Sequence, residues 1–325
     1  VVPEGPLILA GAGPLLLLLA AQVLRAGVKI AAIVETVGPH NRAKSLLYAV
    51  PALGGYDYLF KGAALMLEVA RHGVPWHHDA RDLEAVGTDN VTALRFRSGL
   101  NVHEVPCTTC AVHTGVVPNT QLSRSLRLEH HWDSLGRSWR PQVDAYGSSE
   151  LDGIAIAGDG AVVGGALVAA FSGELAGLSV AARLGKIDAQ TLSRTSALVH
   201  TSVRRHMAVR PFLDALYAPD EQFLNPAPET IVCRCEEVRA SDVREYVRAG
   251  ALGPNQAKAY GRCGMGPCQG RFCGLTVSEI IAAERNVSPQ EVGYYRIRSP
   301  IKPVTLGEVA SLDEQMGLAS AGRVI

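Results

Sequence analysis

"GPLILAGAGPLLLLLAAQVLRAGVKIAAIVET" (Gly5–Thr36) opens as a short apolar run, turns on two glycines, continues as a Leu-rich segment and ends in β-branched residues. Gly27 stands where a helix C-terminus wants a left-handed residue, and Val28–Thr36 has the composition of a strand. Strand, glycine turn, helix and strand within about thirty residues make one βαβ unit. That unit predicts an α/β fold on a parallel sheet. The stretch is also apolar from Pro6 to Leu24 apart from one Gln, which is bilayer-spanning length. Gly11, Gly13 and Pro14 favour a buried strand, a tight turn and a buried helix instead.

The turn itself has a chemistry. A dinucleotide fold needs glycines where the backbone approaches a pyrophosphate, and an acidic residue at the end of the next strand for a ribose hydroxyl. Gly11 and Gly13 supply the first, and Glu35, 22 positions past Gly13, supplies the second. The third glycine of such a fingerprint is replaced by Leu16, which leaves open a turn whose glycines serve packing alone.

Further along, residues 41–73 read as helical pieces broken by Pro51 and Gly54–Gly55. "AVGTDNVTALRFRSG" and "NVHEVPCTTCAVHTG" read as strands and turns. A second glycine turn lies in "LDGIAIAGDGAVVGGALVAAFSGELAG", where an expected strand (Ile154–Ala157) meets Gly158-Asp159-Gly160 ahead of an Ala-rich helix. Asp159 there suits either a bond from a flavin ribityl hydroxyl, with a phosphate at the helix N-terminus, or an ordinary helix cap. "RTSALVHTSVRRHMAVRPFLDALY" reads as helix and "APDEQFLNPAPET" as a linker. "SPQE" (Ser288–Glu291) is a capping box with proline at the first helical position.

Bulk composition removes some functions. The 325 residues carry 31 basic and 31 acidic side chains, so nothing draws in nucleic acid by charge. Seven cysteines, five of them in the last third, are too clustered for a secreted disulfide framework in a chain this long. The opening "VVPEGPLILAG" has no initiator Met and no basic leader, and reads as a fragment or a processed chain. Cys107-Thr-Thr-Cys110 has the spacing of a redox pair but sits in what reads as a buried strand. The pairs His77–His78 and His130–His131 read as surface histidines.

The decisive cysteines are Cys233-x-Cys235 in "IVCRCEEV" and Cys268-x4-Cys273 in "GRCGMGPCQGRFCG", with 32 residues between the pairs. Four thiolates can close a tetrahedral zinc site or hold a 2Fe–2S cluster. The one-residue gap suits iron–sulfur better than zinc. Gly264, Gly266 and Gly270 would let amide N–H groups approach the sulfur atoms. Cys263 is a spare fifth thiol, able to stand in for Cys268.

"IVCRCEEV" with "GRCGMGPCQGRFCG" resembles the bacterioferritin-associated-ferredoxin-like 2Fe–2S domain. "PLILAGAGPLLLLLAAQVLRAG", "HTGVVPNTQL" and "IAIAGDGAVVGGALVAA" resemble the two-dinucleotide-domain flavoproteins of the disulfide-reductase type. In this order, with the tail "RIRSPIKPVTLGEVA", they resemble the α-type subunits of heteromeric flavin dehydrogenases. Opine oxidase A, hydrogen cyanide synthase B and dye-linked proline and hydroxyproline dehydrogenase α subunits belong to that group. The resemblance implies FAD against Gly158, Asp159 and Gly160, with a nicotinamide cofactor at Gly11, Gly13 and Glu35 left open by Leu16. It makes Cys233, Cys235, Cys268 and Cys273 the cluster ligands, with Cys263 outside the set. It further implies electron transfer from a catalytic flavoprotein β-type subunit toward a quinone. The location implied is cytoplasmic, with peripheral association at the inner face of the membrane. The FAD-binding βαβ unit that opens such subunits is missing from this sequence.

The expected division is a nucleotide-binding domain at 1–105, the C-terminal part of an FAD domain at 106–185, and a helical linker at 186–228. A 2Fe–2S domain at 229–300 and a tail at 301–325 complete it. A self-contained NAD(P)H-dependent FAD/iron–sulfur reductase and a zinc-stabilised interaction module are the rival readings.

Overall fold

The computed structural model describes residue 3 and residues 5–312. It divides into two units. One comprises residues 1–120 and 128–227, and the other residues 121–127 and everything from Pro228 on. The tail expected at 301–325 lies outside the described residues from 313 onward.

The first unit is built on a four-stranded parallel sheet. Its strands are β1 (Leu7–Gly11), β2 (Ile30–Glu35), β3 (Trp76–His77) and β7 (Thr109–His113), in the order β3-β2-β1-β7. β4 (Ala80–Gly87), β5 (Val91–Ser98) and β6 (Asn101–Pro106) form a separate antiparallel meander between β3 and β7. The fourth strand of the parallel sheet therefore lies beyond residue 105. β1 is buried throughout, and its period-2 alternation shows why. Leu7 and Leu9 join Leu16, Ala20 and Val69 of helices α1 (Pro14–Arg25) and α4 (Tyr56–Arg71). Ile8 and Ala10 join Leu94, Phe96 and Cys107 on the meander side. Each fully buried Leu or Ile there contributes roughly 1.5–3 kcal/mol.

The same alternation explains the apolar stretch Pro6–Leu24. It is a strand and a 12-residue helix, too short to span a bilayer, with Leu16, Leu17, Ala20 and Ala21 packed inward. Between β2 and β3, α2 (Pro39–Leu46) and α3 (Ala49–Ala52) precede a 3-10 turn at Leu53–Gly55 and α4, so the chain does break near Pro51 and Gly54–Gly55.

Past β7 the first unit adds a hairpin, β8 (His130–Asp133) with β9 (Ser138–Pro141), on which His130 and His131 lie. The strand expected at Ile154–Ala157 is not formed. Among the described residues this segment has one bridge, Ser148 with Ala155, and bonds only to the neighbouring turn, Ile156 N–H donating to Gly147 O at 2.7 Å. A strand exists by its ladder, and here no sheet lies alongside. A 3-10 turn at Gly158–Gly160 leads to α6 (Ala166–Arg183), whose N-cap is Gly165. Asp159 is thus not a helix cap. α6 packs on α7 (Ala189–Met207), followed by α8 (Arg210–Leu216) and α9 (Glu221–Leu224), a helical turn inside the expected linker. By length and composition α6 is apolar enough to cross a membrane, and its Leu167 and Val180 are exposed.

The second unit takes α5 (Gln121–Ser125) and the cysteine region. A short hairpin, β10 (Ile231–Cys233) with β11 (Val238–Arg239), leads into α10 (Ala240–Arg248), α11 (Pro254–Gly261), α12 (Gly274–Arg285), α13 (Pro289–Val292) and α14 (Leu306–Ala310). The capping box forms: Ser288 Oγ accepts from Glu291 N–H, and Glu291 Oε1 accepts from Ser288 N–H. The core of this unit contains Cys233, Cys263 and Cys273 beside Val243, Val277, Ile280, Ile281 and Tyr295.

Candidate functional site

In the first unit Gly11, Gly13, Glu35 and His113 meet at the carboxyl ends of β1, β2 and β7. The sheet there extends from β1 in both directions, which is where open α/β sheets place ligands. Gly11 (φ 116°) and Gly13 (φ 130°) take backbone conformations closed to side-chain-bearing residues. A Cβ on Gly11 would overlap the His113 carbonyl oxygen, and one on Gly13 would come within 2.8 Å of His113 Nε2. No side chain caps the N-terminus of α1. Leu16 at the third glycine position is buried, filling the helix–strand contact that a glycine would narrow.

Glu35 is already engaged. His78 Nδ1–H donates to its carboxylate at 2.7 Å, and Arg42 Nη2 lies 3.8 Å away. The histidine pair read as surface residues therefore supplies a partner to the acid expected to bind a ribose hydroxyl. Spacing could not show it, since 43 residues separate Glu35 from His78. Burial, with Glu35 adding to it, pushes the Tyr217 hydroxyl up to about 12, so it stays protonated. Burial lowers the pKa of His113 and favours its neutral ring. At the second glycine turn, Gly158 (φ 62°) approaches α6, where an added Cβ would lie 3.2 Å from Ala169 Cβ. Asp159 is exposed and Gly160 is half-buried.

Cys107 and Cys110 are free thiols whose pKa values are raised by burial, Cys110 to about 11. A thiol that keeps its proton is a poor nucleophile. The pair is part of the sheet core.

The second unit gathers the other five thiols. Cys233, Cys263 and Cys273 have their sulfur atoms within 4.8 Å of one another, all buried. The Cys273 thiol, with the Tyr295 hydroxyl and Cys233 facing the same sulfur, brings Cys263 to about 7 against the cost of burial, while Cys273 rises. Beside the trio, Cys235 and Cys268 share a hydrogen bond. Burial opposes a Cys268 thiolate, but the backbone N–H groups of Phe272, Gly270 and Arg271, together with Cys235, lower its pKa nonetheless. The Cys268 backbone N–H favours a Cys235 thiolate, yet the shared bond to the Cys268 thiol and burial outweigh it, and Cys235 is raised. Of the four expected ligands, Cys233 and Cys273 lie in the trio with Cys263, which was expected outside the set, while Cys235 and Cys268 form the separate pair.

The loop glycines have reasons of their own. Gly264 N–H donates to Cys233 Sγ at 3.4 Å, as expected of an amide near sulfur. A Cβ on Gly264 or Gly270, however, would collide with the Tyr295 ring, and one on Gly266 with Cys235. α5 is a component that sequence reading missed. Gln121 Nε2–H donates to Gln269 O at 3.2 Å, and the Arg124 guanidinium lies 4.5 Å from the centroid of Tyr294. No cysteine spacing could reveal it, because α5 precedes the motif by more than a hundred residues.

Residues 227–312 match the sarcosine oxidase A3 domain family, which covers the body of the second unit but not α5. The chain is 43% identical to the A subunit of opine oxidase from Agrobacterium tumefaciens (strain Ach5), over 95% of this chain and 62% of that protein. It is 38% identical to the corresponding opine oxidase protein of Rhizobium meliloti (strain 1021), over 96% of this chain and 68% of that one. The chain belongs to the opine oxidase A family. It spans 62% of the length of the Agrobacterium relative. L-Proline dehydrogenase from P. horikoshii shares the fold of this opine oxidase A-type chain. Its TM-score is 0.56 at 21% identity, over 76% of this chain and 48% of that structure.

Proposed function

We propose that this chain is the electron-transfer component of a heteromeric flavin-dependent dehydrogenase or oxidase. The complex would act on the C–N bond of an amine or amino acid of the opine, proline or glycine type. One observation carries the reading: five thiols from the hairpin and the glycine-rich loop converge in the second unit, as a buried trio and an adjoining pair. That two-part arrangement fits donors for a cluster of two metals better than four donors around one ion. When bound, FAD and a 2Fe–2S cluster supply the electron-accepting chemistry that side chains lack.

The chain's own part is to hold and to tune. Cys233, Cys235, Cys268 and Cys273 would ligate the cluster, and the amide groups around Cys233 and Cys268 would stabilise sulfur-borne charge. Gly158, Asp159 and Gly160 would contact FAD, and Gly11 and Gly13 a nucleotide phosphate. Glu35, held by His78, is poorly placed to take a ribose hydroxyl, which weighs against a self-contained NAD(P)H reductase. A catalytic flavoprotein partner is supported by exposed apolar side chains on the first unit, Leu46, Leu47, Val50 and Phe60 being 70–79% exposed. A quinone acceptor would place the complex peripherally at the inner face of the cytoplasmic membrane.

Anaerobic purification of the five single Cys→Ser variants, with iron, sulfide, zinc and flavin analysis and electron paramagnetic resonance, tests the reading. Loss of the cluster is expected for Cys233, Cys235, Cys268 and Cys273, with retention for Cys263→Ser. Stoichiometric zinc without sulfide would establish the interaction module instead. Cluster loss in Cys263→Ser with retention in Cys268→Ser would exchange those two ligands.

A further inference from the structure

Tyr295 is the largest fully buried side chain among the described residues, 1% exposed, and its hydroxyl makes no hydrogen bond of good geometry to any of them. Orphaned buried hydroxyls are rare, because each forfeits the full cost of desolvation. The sulfur atoms facing this one are those of Cys263 and Cys273.

The fold fixes the ring from several directions. Gly264 and Gly270 leave the space it fills, both at positive φ. Lys258 Nζ lies 5.0 Å from the ring centroid. Asn255 clasps the backbone on either side, its Nδ2–H donating to Tyr294 O at 3.0 Å and its Oδ1 accepting from Arg296 N–H at 2.8 Å. A phenylalanine would fill this volume without an orphaned hydroxyl. The hydroxyl is therefore the part that needs an explanation.

We propose that the Tyr295 O–H is a hydrogen-bond donor reserved for the Cys273 sulfur when that thiolate ligates the cluster, a positioning residue that raises the cluster's reduction potential. The proposal rests on the iron–sulfur reading. Reduction adds negative charge that spreads onto the ligand sulfurs. A donor aimed at them favours the reduced state, and removing it favours the oxidised state. In a dry site a charge-assisted bond of this kind is strong enough to move the equilibrium by about tenfold.

The test is a redox titration of the full chain and of Tyr295→Phe, each assayed first for iron and sulfide. Equal iron and sulfide in both proteins, with the variant's midpoint lower by roughly 59 mV, is expected, that being a tenfold change for a one-electron couple. A purely structural role would shift the melting temperature and leave the midpoint unmoved, and that outcome overturns the proposal alone. Absence of iron and sulfide from the wild type overturns the iron–sulfur reading and the proposal with it. Should Tyr295→Phe not fold, Tyr295→fluorotyrosine keeps the ring and makes the hydroxyl a better donor. Its midpoint is expected to rise, and an unchanged value there overturns the proposal equally.

Discussion

Two glycine-rich loops, one in each unit, look alike as strings and are built for different obstacles. At Gly11–Gly13 the obstacles belong to His113, its carbonyl against Gly11 and its imidazole against Gly13, and both glycines sit at positive φ. In the cysteine loop the obstacle is a tyrosine ring, pressed against Gly264 and Gly270. The first loop is tight because a helix must start immediately beyond a strand. The second is tight because a buried ring has to lie beside sulfur. A glycine in a sequence marks a close approach, and only the structure names what approaches.

The sharpest break in this comparison is Gly270→Ala against Gly13→Ala. At Gly270 an added methyl meets a ring that is buried and clamped, at a φ of 79° that costs about 1–2 kcal/mol by itself. With overpacking of about 1–3 kcal/mol the total reaches roughly 2–5 kcal/mol, and denaturant titration should show the second unit losing its cooperative transition. Gly11→Ala should be comparable in the first unit, where the obstacle is backbone and cannot turn aside. Gly13→Ala meets the end of a half-buried side chain that can rotate, so only the backbone cost of about 1–3 kcal/mol for a conformation that glycine alone adopts readily is expected.

Next in size is a contrast of thiols. In metal-free protein at pH 8, brief alkylation followed by peptide mass spectrometry should modify Cys268 well before Cys110. With its pKa near 11, Cys110 carries roughly a thousandfold less thiolate than thiol at that pH. Equal labelling of the two would show that the Cys107–Cys110 pair is not simply sheet core.

The smallest expected effect is a pH slope. His113 has its folded pKa depressed below the ordinary 6.5, chiefly by burial, so the unfolded chain binds its proton more readily. Its contribution is present above about pH 6.5 and is lost as pH falls from there through the folded value. Thermal melts between pH 7 and 5 should show the first unit weakening, and His113→Leu should flatten that slope.

Much of the fold was legible because local patterns report local structure. Leu7–Gly11 followed by Pro14 and ended by Gly27 could be little other than strand, turn and helix, and Ser288–Glu291 announced its own cap. The Ile154–Ala157 segment was misread because composition reports that a strand would be comfortable, not that a neighbour exists to pair with it. That the cysteines after residue 230 would gather in one unit was legible from their clustering. The place of Cys263 in the trio was not, since it stands five residues before Cys268 and is carried inward by the turn that also seats Tyr295.

The order of residues alone settled the first strand–turn–helix–strand unit, the Ser288 cap and the thiol-bearing loop, because hydrophobic period, capping chemistry and cysteine spacing all act over a few residues. Tertiary structure alone decided that His78 would occupy Glu35, that α5 would join the cysteine unit, and that an orphaned hydroxyl would face the sulfurs. Those contacts join residues tens to more than a hundred positions apart. They exist only because burying both faces of β1, and one ring beside a cysteine trio, leaves the chain few other ways to pack.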